Sequence, residues 1–224
     1  KDGINRIQLL QGHLSDNQID NIKALPFGDP GSFSVMHPAV NSKGNFLIFS
    51  SDKNKATSGY DLFYSEKDSV NQKWSEMKPL GSNVNSQGNE VFPTLVNDSV
   101  LYFSSDARGG LGGLDIYRIS LNNAIRNISV PEHLSYPVNS SADDFGWAPA
   151  DSAGNNGFFT SDRLHDDDNI FSFEYTPENQ IFGKHYLRGV ILDAASGKAI
   201  QNATVFVYNT ENDSVQVFKT DSLG

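Results

Sequence analysis

Phe46-Leu47-Ile48-Phe49-Ser50-Ser51-Asp52 is answered by Val100-Leu101-Tyr102-Phe103-Ser104-Ser105-Asp106, and again by Gly157-Phe158-Phe159-Thr160-Ser161-Asp162. Upstream of each lies a proline tract: His37-Pro38-Ala39-Val40, Phe92-Pro93-Thr94-Leu95 and Ala148-Pro149-Ala150. Downstream come Gly59-Tyr60-Asp61-Leu62-Phe63, Gly113-Leu114-Asp115-Ile116-Tyr117 and Asp168-Asn169-Ile170-Phe171. Pro38, Pro93 and Pro149 are 55 and 56 residues apart, and Asp52, Asp106 and Asp162 are 54 and 56 apart. A period this long, with several short apolar runs per copy, predicts an all-β chain built from the four-stranded blades of a β-propeller rather than from helical hairpins.

Within the second copy, strands are expected at residues 91–96, 100–105, 114–119 and about 125–129, each bounded by Gly, Asn, Asp or Ser. The runs Phe46 to Phe49 and Val100 to Phe103 are continuously apolar rather than alternating, which marks strands covered on both faces. Trp74 is expected in the outer strand of the first copy. Asn85-Ser86 and Asn139-Ser140 read as matched connectors whose side chains fix local turns. Residues 3–10 and 19–25 look like the last two strands of an earlier blade, so about three and a half blades are visible. The propeller portion is expected over residues 1–176, followed by a linker at 177–186. Residues 187–224 then show strands at 187–193, 203–208 and 215–219, the start of an antiparallel β-sandwich.

The chain of 224 residues carries 27 acidic and 17 basic side chains, a formal charge of -10, which excludes a nucleic-acid backbone as partner and supplies no polybasic patch for anionic lipid. It has no cysteine, hence no disulfide framework and no thiolate chemistry. No apolar stretch reaches the roughly 18 to 20 residues of a membrane span, and Lys1-Asp2-Gly3 reads neither as a signal peptide nor as a lipidation signal.

Asp52, Asp106 and Asp162 each follow a serine at the end of an apolar strand, where a carboxylate can accept N–H groups of the following turn and lock a hairpin. Asp61 and Asp115 are expected to serve the same end, since repetition in successive copies favours architecture over catalysis. Asp162, Asp166, Asp167 and Asp168, beside His165, form the best local candidate for a hard cation such as calcium, without the spacing of a calcium loop. A propeller glycosidase would need paired carboxylates, and Glu90, Asp143 and Asp144 with Trp147 are the residues it would use. Glu90 and Asp144 are equivalent in the repeat, which favours a connector role. His13, His37, His133, His165 and His185 show no ligand spacing, and His37 is matched to Phe92 and Trp147 as a packed inner-strand residue. No catalytic residue and no cofactor is expected.

The tracts Phe46 to Phe63 and Leu101 to Tyr117, with Trp74 to Ser86 and Asp143-Asp144-Phe145-Gly146, resemble the PD40 (WD40-like) propeller repeats of large Bacteroidetes cell-envelope proteins. Arg108-Gly109-Gly110-Leu111-Gly112-Gly113 is similar to that family's glycine-rich hairpin, and residues 187–223 resemble the start of a carboxypeptidase regulatory-like domain. The resemblance implies an intact ring of six blades, flanked in the full-length protein by tetratricopeptide and OmpA-like domains. It further implies a non-enzymatic scaffold in the periplasm, associated with the outer membrane. The implied partners are envelope proteins or a peptidoglycan-linked assembly, including the type IX secretion system. The alternatives are a glycan- or solute-binding propeller and the glycosidase. For the scaffold, the expected binding residues lie on the turns that equivalent repeats bring to one rim: Lys53 and Lys55, Arg108 and Gly110, Arg163 and His165.

Overall fold

The computed structural model describes residues 5–28, 32–54, 59–122, 125, 127–164, 167–174, 190–208 and 215–221. The chain divides into two compact units, residues 1–184 and 185–224. The first opens with a hairpin, β1 (Leu10–Ser15) and β2 (Gln18–Ala24). Sheet I is a meander of β3 (Val35–Val40), β4 (Phe46–Ser51), β5 (Asp61–Glu66) and the short β6 (Lys78–Pro79). Sheet II follows the same order with β7 (Glu90–Val96), β8 (Val100–Ser105) and β9 (Asp115–Asn122). Its outer edge is split between β10 (Asn127–Ile128) and β11 (Glu132–His133), both paired to the long β9. Sheet III has β12 (Asp144–Pro149), β13 (Asn156–Ser161) and β14 (Asn169–Glu174). In the second unit β15 (Thr204–Tyr208) and β16 (Val215–Lys219) form a hairpin, with a separate bridge between Leu192 and Ala199.

The fold is therefore all-β, but among the described residues it consists of five separate open antiparallel sheets, none closed into a propeller or barrel. This corrects the expected β-propeller, the resemblance to PD40 or WD40-like repeats with a ring of six, and the expected sandwich, which is here a two-stranded sheet. The physical reason is that the repeat specifies one sheet at a time. Strand length, turn residues and apolar runs act within about 55 residues, whereas closure requires the first and last sheets to meet, and no local pattern encodes that. Trp74 is likewise not in the outer strand of sheet I: it forms an isolated bridge with Lys67 and packs edge-on against Phe27.

Sheets I to III stand in a row. The first strand of each sheet touches the first three strands of the sheet before it: β7 against β3, β4 and β5, and β12 against β7, β8 and β9. Side chains on the two faces of β4 and β8 are both buried, which explains the continuous apolar runs. Ile48 and Leu62 on one face of sheet I share a core with Leu101, Phe103, Tyr117 and Ile119 of sheet II. Tyr102 and Ile116, on the opposite face of sheet II, pack with Trp147 and Phe159 of sheet III. At the other end Leu9 and Phe27 pack with Val35, Leu47, Phe49 and Phe63.

Backbone pairing continues across the junctions. The N–H of Glu90 donates to Tyr60 O (2.6 Å), that of Asp144 to Leu114 O (2.5 Å) and that of Val35 to Ile7 O (2.9 Å). Asn85 and Asn139 reach back rather than fixing their own turns. Asn139 Oδ1 accepts from the Ile116 N–H (2.7 Å), and its Nδ2 donates to the carbonyls of Ile116 (2.8 Å) and Leu134 (2.6 Å). Asn85 treats Leu62 in the same way, at 2.9 and 3.0 Å. Each carboxamide presents a donor and an acceptor, as a peptide group does, to a strand residue 23 positions upstream.

Asn139 is wholly buried, and Asn85 is half-buried. Replacing Asn139 by Ala leaves an N–H and a carbonyl without this partner in a dry site, and is expected to cost about 3 kcal/mol. Asn85→Ala, where water can substitute, is expected to cost about 1 kcal/mol. Urea unfolding of the two variants checks the order; equal losses would mean that the carboxamide does not bridge the buried strand.

Candidate functional site

The β-bulges fix which residues are equivalent. Register slips after Met36, Val91 and Phe145, so His37, Phe92 and Gly146 occupy one position, with φ of 51°, 52° and 68°. Trp147 rather than Pro149 then stands where Pro38 and Pro93 do. The residues opposite Ser51, Ser105 and Ser161 are Val35, Glu90 and Asp144.

Glu90 and Asp144 are wholly buried at the start of β7 and β12. Glu90 accepts from Ser86 N–H (2.8 Å), the Ser86 hydroxyl (2.5 Å) and the Ser105 hydroxyl (2.8 Å). Asp144 accepts from Ser140 N–H (2.5 Å), its hydroxyl (2.9 Å) and Arg163 Nη2 (2.5 Å). Arg108 Nε lies 3.9 Å from Glu90. Both guanidinium groups also brace the connector of their own sheet: Arg108 Nη2 donates to the carbonyls of Asn83 (3.0 Å) and Val84, and Arg163 donates to those of Pro137 (2.6 Å) and Val138. Arg108 lies over the Phe103 ring at 5.8 Å, and Arg163 lies over Phe159 and Phe171 at 5.2 and 4.9 Å. In sheet I the carboxylate position holds the buried Val35, and the corresponding turn carries Lys53, an exposed side chain with Nζ 5.6 Å from the Phe33 ring. Carboxylate and arginine are present together or absent together, as expected when an unpaired buried charge is prohibitive.

The aspartates at the strand ends act over a longer reach than a local turn. Asp52, Asp106 and Asp162 accept the backbone N–H of Ser34 (2.6 Å), Asn89 (2.7 Å) and Asp143 (2.7 Å), each just before the first strand of its own sheet. Asn89 and Asp143 in turn accept from Tyr60 N–H (3.1 Å) and Leu114 N–H (2.7 Å) of the preceding sheet. Asp61 accepts from Asn54 Nδ2 (3.2 Å), and Asp115 Oδ2 accepts from Gly112 N–H (3.2 Å). A Cβ on Gly110 would collide with that same Asp115 oxygen, so glycine is required for close packing there.

Of the residues expected to bind a partner, Lys53 faces solvent, while Arg108 and Arg163 direct their charge into the clamps. Lys55 and His165 lie outside the described residues, as does Asp166 of the expected cation cluster. Asp162 is engaged with the Asp143 N–H, and the backbone carbonyl of Asp167 accepts from Asn169 Nδ2 (2.6 Å). Asp168 directly precedes β14. Among the described residues no group of three or more His, Asp or Glu side chains is placed to hold a metal ion.

Two further groups have chemical potential. Asp115 Oδ1 is buried 3.5 Å from His133 Nε2, but that nitrogen also faces Asn139 Nδ2 at 3.1 Å, so an amide stands where a hydrolytic nucleophile would be needed. Burial, followed by the charge of Asp115, pushes the neighbouring Tyr117 hydroxyl above its ordinary 10.0. Trp147 is buried and stacked on Tyr102 and Phe173, with ring centroids 4.9 and 3.7 Å apart, and offers no open platform for a sugar. A half-buried ring column links the three sheets instead: His37 stacks on Phe92 at 4.0 Å and Phe92 on Phe145 at 4.8 Å. His37 Nδ1 accepts the Phe92 N–H (3.3 Å), and burial holds its pKa below the ordinary 6.5.

No protein-family model matches the chain, and no curated protein matches it. The geometry alone carries the functional argument.

Arg163→Met is expected to destabilise the protein by about 3 to 5 kcal/mol, because Asp144 keeps a buried charge without its partner. Adding Asp144→Val, which copies Val35 of sheet I, should restore most of that loss in denaturant unfolding; a double variant as weak as the single one would contradict the clamp. His37 gives a second expectation. Its folded-state pKa lies below 6.5, so the unfolded chain takes up the proton first as pH falls, and stability is lost from about 6.5 downward through the folded-state pKa. His37→Phe should flatten that limb of the stability profile while every other titrating group stays common to both proteins.

Proposed function

We propose that the chain is a non-enzymatic protein-interaction scaffold. The observation that carries this reading is the contrast between its charged and its apolar groups. The repeated carboxylates and arginines are spent on joining one sheet to the next, whereas large apolar side chains stand exposed on open sheets: Phe158 and Ile170 on sheet III, and Leu10, Leu14, Ile19 and Ile22 on the first hairpin. Exposed apolar faces of that kind are interaction surfaces. Rigid sheets also hold the turns after β4, β8 and β13 in equivalent places, and among the described residues Lys53 is a charged side chain that these turns expose to a partner. The setting proposed with this reading is the periplasm beside the outer membrane.

Deletion of residues 1–174 from the protein in its source cell, followed by cross-linking and quantitative mass spectrometry, is expected to remove a defined set of partners. Fractionation of the same tagged protein should place it in the envelope. An unchanged partner set would overturn the scaffold reading, as would glycoside hydrolysis by the purified chain that Glu90→Gln or Asp144→Asn abolishes while the protein stays folded.

A further inference from the structure

The two junctions between sheets I, II and III are held differently. Between sheets I and II the first strands are bridged by His37, whose Nδ1 accepts the Phe92 N–H (3.3 Å) while its ring stacks on Phe92 with centroids 4.0 Å apart. Both residues occupy the bulge position with φ of 51° and 52°, a left-handed conformation that is costly for bulky side chains. At the junction of sheets II and III the matching pair is Phe92 and Gly146. A phenyl ring offers no nitrogen acceptor, and glycine takes its φ of 68° without strain. The contrast recurs at the hairpin turns. Asp98, in the β7–β8 turn, accepts the Ser42 N–H (2.8 Å) and hydroxyl (2.5 Å) from the β3–β4 turn. The β12–β13 turn meets sheet II through an apolar contact instead, Gly154 beside the Val96 side chain.

Histidine is the side chain whose ordinary pKa lies between pH 5 and 8, and each junction has one. His37 accepts from Phe92 only with Nδ1 bare, so a proton there sets a donor against a donor. Burial penalises the cation and holds the pKa of His37 below 6.5. The strands packed on β3 supply no free counter-charge: β4 has no ionisable side chain, and β7 has Glu90, which is buried on Ser86 and Ser105 with Arg108 Nε at 3.9 Å. His133, at the second junction, is placed the other way. Its Nε2 lies 3.5 Å from Asp115 Oδ1, so a proton on it faces a carboxylate, beside an Asn139 amide whose hydrogens go to the carbonyls of Ile116 and Leu134.

We propose that the junction between sheets I and II is an acid-sensitive joint: protonation of His37 parts β3 from β7 and uncovers the Phe92 ring, while the junction between sheets II and III stays closed. The open joint takes up the proton more readily than the closed one, so opening grows as pH falls from about 6.5. The Ser42–Asp98 contact is the pivot. The Ser42 hydroxyl and N–H, with a smaller contribution from the Lys43 ammonium, hold Asp98 below its ordinary 3.8, so this tie persists until the solution is far more acid. The surface offered by the first strands then differs between neutral and acidic surroundings, whichever partner the scaffold binds.

Hydrogen exchange of the whole chain, read by mass spectrometry and corrected for the intrinsic pH dependence of amide exchange, tests the joint. Between pH 7.5 and 5.5, peptides covering β3 and β7 are expected to lose protection about fivefold, and those covering β12 and β13 to keep theirs. His37→Asn should remove the loss, because asparagine tolerates a φ near 51° and its Oδ1 takes the Phe92 N–H without titrating. A loss that persists in His37→Asn, or one that spreads equally over the second junction, would overturn the joint. A second measurement needs no substitution: the His37 ring of the wild type should titrate below 6.5 by NMR, and a midpoint at or above that value would overturn it as well.

Discussion

A buried strand edge has to be hydrogen-bonded, and in this protein the next repeat does it. Leu62 and Ile116 offer an N–H and a carbonyl at the edge of the third strand, and Asn85 and Asn139 satisfy both with one carboxamide each. The same connectors place Val84 and Val138 in the inter-sheet cores and Ser86 and Ser140 on the buried carboxylates. The bridge acts beside the backbone bonds of Glu90 to Tyr60 and of Asp144 to Leu114, which seat the first strand of the following sheet on its predecessor. The stacking of sheet II on sheet I and of sheet III on sheet II uses both kinds of bond.

Charge follows the same logic. A carboxylate at the start of β7 and β12 is affordable only because serine hydroxyls, backbone N–H groups and an arginine converge on it. Sheet I avoids the expense with Val35. These acids are therefore joints of the fold. A site for general acid–base work would need a proton-exchanging group open to substrate, and Glu90 and Asp144 are closed to it. What the molecule leaves open is apolar and lies on sheet faces, which directs attention to association.

Much of the first unit was legible in the chain. The runs at Phe46 and Val100 announced strands buried on both faces, and Asp52, Asp106 and Asp162 announced a recurring structural acid. The arginine clamps were not legible as such. Arg108 stands two residues after Asp106 and Arg163 one residue after Asp162, so alignment on the aspartates sets them out of step. The signal that would have found them is internal covariation: Glu90 with Arg108, Asp144 with Arg163, and Val35 with neither. The bulges also shift the proline register, which hid the match of His37 and Phe92 with Gly146.

By itself the sequence determined the inner strands of the repeats and the side chains they bury, because those properties depend on apolar patterning and turn residues within a few positions; the first hairpin, expected at residues 3–10 and 19–25, lies at Leu10–Ser15 and Gln18–Ala24. Tertiary structure decided the rest. The long-range partners of Asn85, Asn139, Arg108 and Arg163 lie 18 to 26 residues away, so their roles appear only when sheets stack. Whether a row of sheets closes is more distant still, since it depends on which faces meet at its two ends; among the described residues the sheets form no closed ring.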